Sequence, residues 1–164
     1  MTRRSSGKDA VVRALLRQID EAFDRRSWHG TNLRGSVRGL SARVASWRPA
    51  PGRHSIREIV VHAAYWKYVV RRRLTGEPRG GFPLRGSNWW SREGSDEAAW
   101  SAEVRLLVGE HEKMRAVVAA LRAPELECPA RGGGTTRGAL VRGIAAHDLY
   151  HAGQIQLLKR LRRE

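Results

Sequence analysis

The stretch His147-Asp148-Leu149-Tyr150-His151-Ala152-Gly153-Gln154-Ile155 sets two imidazoles four residues apart inside a long amphipathic run. Positions i and i+4 share a helix face, so both rings project the same way. The run extends from Thr136 to Leu161, and Leu140, Ile144, Ile155 and Leu158 continue the apolar seam through His147 and His151. Apolar steps of three and four over this length predict an α-helix with one face buried against others. Two histidines therefore stand where a bundle core ordinarily holds leucines.

Three further segments share this periodicity. Upstream of the glycine run Gly132-Gly133-Gly134, the residues Trp100, Val104, Leu107, His111, Met114, Val118 and Leu121 alternate steps of four and three on a helix starting near Ser95. Asp96 and Glu97 lie where acidic groups favour the positive end of its dipole. A third helix begins at Ser55, because Ser55 and Glu58 have capping-box spacing, and it runs through Ile56, Ile59, His62, Ala63, Trp66, Val69 and Val70 to about Leu74. Gly76 and Pro78 end it. The first helix spans roughly Lys8 to Arg25, with Val12, Leu15, Leu16, Ile19, Ala22 and Phe23 as its stripe. A long connection follows, with a short helix around Asn32 to Leu40 and a firm break at Pro49-Ala50-Pro51-Gly52. The pattern predicts an all-α four-helix bundle with long connecting loops, a single domain over residues 1–164.

Composition narrows the function classes. The 164 residues carry 31 Lys plus Arg against 16 Asp plus Glu, a formal charge of +15, and only four of the basic residues are lysines. Such a field attracts anions but does not select a chemistry. Arg71-Arg72-Arg73 and Arg160, Arg162 and Arg163 could neutralise phosphates, yet both clusters also complement the C-terminal dipole of a helix. No recognised reader motif accompanies them, which argues against specific nucleic-acid binding. The single cysteine, Cys128, excludes an internal disulfide and any multi-cysteine zinc site. No apolar run suits a membrane span or a signal peptide, and the expected compartment is the cytoplasm.

His62, His147 and His151 are the residues that invite chemistry. With three imidazole ligands and an open fourth position, a site in a bundle core resembles a catalytic metal centre more than a closed structural one. Each ring taken singly reads more readily as a satisfied core histidine, although three such rings would each need a partner. Imidazole suits zinc, nickel, copper and iron alike. Ligating imidazoles must be neutral, so acid should release a metal near the free-histidine pKa of about 6.5. The comparison of His147-Asp148-Leu149-Tyr150-His151 with the HExxH helix of zinc proteases is weak: Asp148 is one methylene short of a glutamate, and no further ligand follows.

Residues around the histidines divide between pocket and core. Trp66 lies one turn beyond His62 and Gln154 one turn beyond His151, so both could line the pocket, Trp66 also reading as core. Asp148 and Tyr150 flank the ligand face; Asp148 could orient an imidazole through its second nitrogen or face solvent. His111 is a possible second partner for the site or an ordinary core histidine.

Taken together, Trp47-Arg48-Pro49-Ala50-Pro51-Gly52-Arg53-His54-Ser55-Ile56-Arg57-Glu58-Ile59-Val60-Val61-His62 and His147 through Ile155 resemble the DinB/YfiT-like superfamily over nearly the whole chain. That resemblance implies an up-down-down-up bundle, one divalent ion, commonly nickel or zinc, at His62, His147 and His151, and a homodimer. The Trp89 and Trp90 loop is a source of apolar contact between protomers. The resemblance also implies a metal-dependent enzyme of the thiol S-transferase or hydrolase type, acting with a low-molecular-weight thiol such as bacillithiol, mycothiol or glutathione on a small-molecule substrate. The alternative is a noncatalytic basic helical bundle that binds an anionic partner such as nucleic acid.

Overall fold

Ser55 opens the helix that carries His62, and its local chemistry is fully formed. Its hydroxyl accepts from the Glu58 amide while the Glu58 carboxylate accepts from the Ser55 amide, which satisfies two free donors of the first turn. In the computed structural model, which describes residues 5–162, this helix is α4 (Ile56–Thr75). It closes at Gly76, whose φ of 84° only glycine adopts without strain. The other long helices are α1 (Ser5–Phe23), α5 (Glu97–Ala120) and α6 (Arg137–Leu161), the last capped by Thr136. Two single-turn helices, α2 (Leu33–Val37) and α3 (Ala42–Ser46), fill the connection before α4.

The four long helices pack in a ring, α4 against α5 and α6, and α1 against α6 and α5. This is the expected all-α bundle with long connections; among the described residues the β pairing is confined to one bridge between Pro129 and Thr136. No described helix is long and apolar enough to cross a membrane. One half of the core gathers Ile59, Val60, Leu107 and Ile155, and the other gathers Ile19, Met114, Val118 and Val141. Near the first half, the buried Arg57 of α4 donates two parallel bonds of 2.8 Å to Glu103 of α5. This fork geometry fixes the two helices in register.

Boundaries shift by a few residues from the periodicity. Helix α1 ends at Phe23 instead of Arg25, and α5 starts at Glu97 because Asp96 leaves the helix to cap it, accepting from the Ala98 amide. The short helix expected over Asn32 to Leu40 is only α2, with Asn32 as its cap; α3 and the 3-10 turn Ala123–Glu127 are too short to carry a periodic signal. Of the basic residues at the end of α6, Arg163 lies outside the described residues.

Glu58 also organises the loop that leads into α4. Beyond its capping role it takes both Arg48 nitrogens at 2.6 Å and accepts from the Arg92 amide, so one buried carboxylate ties the Trp47–His54 segment and the α4–α5 connection to the helix start. Its carboxyl is held below the ordinary value by Arg48 and Ser55, against the opposing effect of burial. Glu58→Ala is expected to cost ~3 kcal/mol or more, since it leaves Arg48 and the Ser55 amide without their partner. Urea unfolding measures this, and a loss below about 1 kcal/mol would remove the organising role.

Candidate metal centre

Helix α4 presents His62 and helix α6 presents His147 and His151 to a common point where the two helices face each other. The Nε2 atoms of His62 and His147 are 3.1 Å apart, as are those of His147 and His151. Nitrogens bound to one tetrahedral zinc at about 2.0–2.1 Å would stand about 3.3 Å apart. His62 and His151 are buried and His147 is half-buried. Among the described residues these three form the cluster whose geometry could hold an ion.

The second ring nitrogens decide what the converging atoms are. His62 Nδ1 lies 2.8 Å from the backbone carbonyl of Asn88, which can only accept, so this nitrogen carries the proton and Nε2 is a bare lone pair. His151 Nδ1 lies 2.7 Å from Gln154 Oε1, while the Gln154 amide nitrogen donates to the Tyr150 hydroxyl at 3.1 Å. His151 Nε2 is therefore also a lone pair. His147 has no partner at Nδ1 and can donate from Nε2 to only one of its neighbours. At least one lone pair in the cluster is thus left facing another, a conflict that a cation resolves. The donor set fits a divalent metal.

Burial is the largest cause of depressed basicity here, followed by the neighbouring imidazoles. His147 falls to about 3, His151 to about 4, and His62 shifts in the same direction. Proton competition for these nitrogens therefore begins below the free-histidine value of about 6.5 suggested by the sequence alone.

Aromatic rings wall the cluster. Trp89 lies flat between His54 and His62, with ring centroids 3.6 and 3.8 Å away, and Trp66 stands nearly edge-on to His62 while donating from Nε1 to Asn88 Oδ1. Asn88 thus holds His62 with its backbone and Trp66 with its side chain. Its φ of 68° is left-handed, a conformation asparagine accepts more readily than most residues. Sequence reading passed over Asn88; its one signal is an asparagine in the polar run Gly86-Ser87-Asn88 just ahead of Trp89 and Trp90. Within the chain Trp89 stacks on the histidines and Trp90 packs against Tyr65 and Phe82, and both stay half-buried.

Of the remaining site residues, Gln154, Tyr150 and Trp66 adjoin the imidazoles, whereas Asp148 and His111 do not. Asp148 is buried on the neighbouring face of α6, where Oδ2 accepts from the fully buried Lys67 ammonium and Oδ1 has no partner. It orients no imidazole and does not face solvent, because one residue along a helix is a rotation of about 100° away from the His147 direction. His111 stacks on Phe23 at 3.6 Å. The Lys67 ammonium lies 4.8 Å from the centre of the same Phe23 ring.

The cluster opens into a cavity of about 650 Å³. Leu157, Leu158 and Leu161 of α6 line it together with Arg53 and His54. In class this is an all-α bundle whose three-histidine cluster is compatible with metal binding. The chain belongs to the DinB superfamily, whose family model matches residues 24–155. No curated protein and no solved structure matches it.

Proposed function

We propose that this chain is a metal-dependent enzyme of the thiol S-transferase or hydrolase type, holding one divalent ion, nickel or zinc, through Nε2 of His62, His147 and His151. When bound there, the ion would act as a Lewis acid and lower the pKa of a thiol or water. The chain's own residues supply orientation and exclusion of solvent. The Asn88 carbonyl and Gln154 lock the His62 and His151 tautomers, a role that outer partners of metal ligands commonly play. Trp89 and Trp66 screen His62 from water. Leu157, Leu158 and Leu161 offer an apolar bed for a small substrate, and Arg53 offers a positive charge for a carboxylate on a low-molecular-weight thiol.

The observation that carries this reading is the set of converging lone pairs, which hydrogen bonding within the chain leaves unresolved. Metal analysis of the purified protein should find about one divalent ion per chain and only traces in His147→Ala and His151→Ala. Adding a low-molecular-weight thiol to cobalt-substituted protein should then change its ligand-field spectrum. Equal metal content in wild type and both variants would overturn the metal site and leave a noncatalytic basic bundle. A full metal complement with no spectral response to any thiol would overturn the transferase arm alone. The family likeness also supports a homodimer, to be read in the same samples by sedimentation.

A further inference from the structure

The arginines of the α4 C-terminus face space that the three-histidine cavity does not include. Two adjoining cavities, of about 560 and about 720 Å³, both have Trp66, Arg72 and Arg79 in their walls. Arg85 adds a third guanidinium to the first, and Arg73 and Arg131 add two to the second. No Asp or Glu lines either cavity, and among the described residues none of these five arginines has a carboxylate within ion-pair distance.

Arg48, Arg57, Arg71, Arg115, Arg122 and Arg137 each meet a carboxylate, while many exposed arginines do not, so what marks these five is their gathering around two adjoining cavities. Arg73 is committed to the backbone: its side chain donates to the carbonyls of Arg131 and Gly133 and so pins the glycine loop that forms the far wall. Arg72 is not committed. It makes no side-chain hydrogen bond, and of its nitrogens Nε is closed to solvent while the terminal pair is not. Arginine presents a planar fork suited to two oxygens of one phosphate or carboxylate. The rest of the first cavity's wall combines Tyr65, Phe82 and Leu84 with the polar Ser87 and Asn88.

We propose that the groove around Arg72 and Arg79 binds a small organic anion, a phosphate attached to an apolar or aromatic body, with the phosphate on the guanidiniums and the body against Tyr65 and Phe82. Several positive charges without acidic neighbours favour the dianionic phosphate over a single carboxylate. Trp66 also lines the histidine cavity, so the bound anion lies one indole away from His62. The site binds with or without a metal; only its service as the substrate's anchoring arm rests on the reading of the three histidines as a catalytic centre.

Calorimetry of the full chain with phenyl phosphate, inorganic phosphate and benzoate tests the groove. Phenyl phosphate should bind most tightly, and Arg79→Gln and Arg72→Gln should each weaken it about tenfold or more. Arg79 is exposed, so its variant keeps the test valid if the half-buried Arg72 position does not tolerate change. Arg160→Gln, an exposed arginine remote from the groove, should leave the affinity within twofold. Benzoate binding as tightly as phenyl phosphate would overturn the choice of phosphate. An equal loss in Arg160→Gln would overturn the site in favour of diffuse net charge. Phenyl phosphate binding lost in His147→Ala and kept in Arg79→Gln would place the anion on the histidines and overturn the groove. Binding kept in His147→Ala and lost in Arg79→Gln supports the groove whatever the metal analysis finds.

Discussion

Replacing Lys67 with methionine is expected to destabilise the fold by ~3–5 kcal/mol, and Asp148→Leu by a similar amount, while the double variant Lys67→Met with Asp148→Leu recovers most of the loss. Lys67 is wholly buried and Asp148 nearly so. Burial pushes the Lys67 ammonium down and the Asp148 carboxyl up, and the charge of each opposes the shift of the other. Removing one partner leaves a polar group in the core with nothing to neutralise it. Removing both leaves two apolar side chains of similar volume facing each other. Urea unfolding of the three variants gives the coupling directly, provided the denaturant slope is unchanged. A double variant as unstable as the two single losses added together would show that the pair does not act as a unit.

Acid should unfold the metal-free protein well before carboxylate titration begins, and His111 should carry much of the effect. Burial, with Lys67 and Arg115 nearby, lowers the His111 imidazole to about 2. Its unfolded value lies near 6.5. A base with a depressed folded pKa contributes stability that is fully present above the unfolded value and is lost as pH falls toward the folded one. At pH 4.5, two pH units below 6.5, His111 alone accounts for ~2–3 kcal/mol of lost stability. His147 and His151 are depressed in the same direction and add to the loss when no metal occupies their nitrogens. Glu58, whose carboxyl is lowered, acts below its ordinary value near 4.5 and so in a separate window. His111→Leu keeps an apolar face against Phe23 and cannot take up a proton. Its stability in chelator should fall by ~2–3 kcal/mol less than that of wild type between pH 7.5 and 4.5. Equal losses in both proteins would show that His111 is not the responsible group.

The first of these predictions rests on a pair that was hard to read in the sequence, and the reason is physical. Patterns of side-chain type record which face of a helix is apolar, so the α5 and α6 seams, the Ser55 and Glu58 cap and the Gly76 stop were legible. The i, i+4 pair His147 and His151 was legible for the same reason, and His62 followed from its place on the α4 stripe. Lys67 gives no such signal, because a lysine beside an apolar stripe ordinarily marks the solvent edge. Only the packing of α6 against α4 brings Asp148 to it. Asn88 is illegible for a different reason: it acts on His62 through a backbone carbonyl, which every residue has. The long connections hid their single-turn helices because one turn is shorter than the period that would reveal it.

The contact of Asn88 and Trp89 with His62 divides labour between frame and insert. The helices bring three nitrogens together, but the segment between α4 and α5 chooses which nitrogen of His62 bears the proton and what surface a ligand meets beside it. That segment lies outside the long helices, and it meets the core mainly through Phe82 and Trp89 and the start of α4 through Arg92. A bundle of this design can therefore diversify its chemistry by exchanging one loop, with the three imidazoles and the core that supports them left as they are.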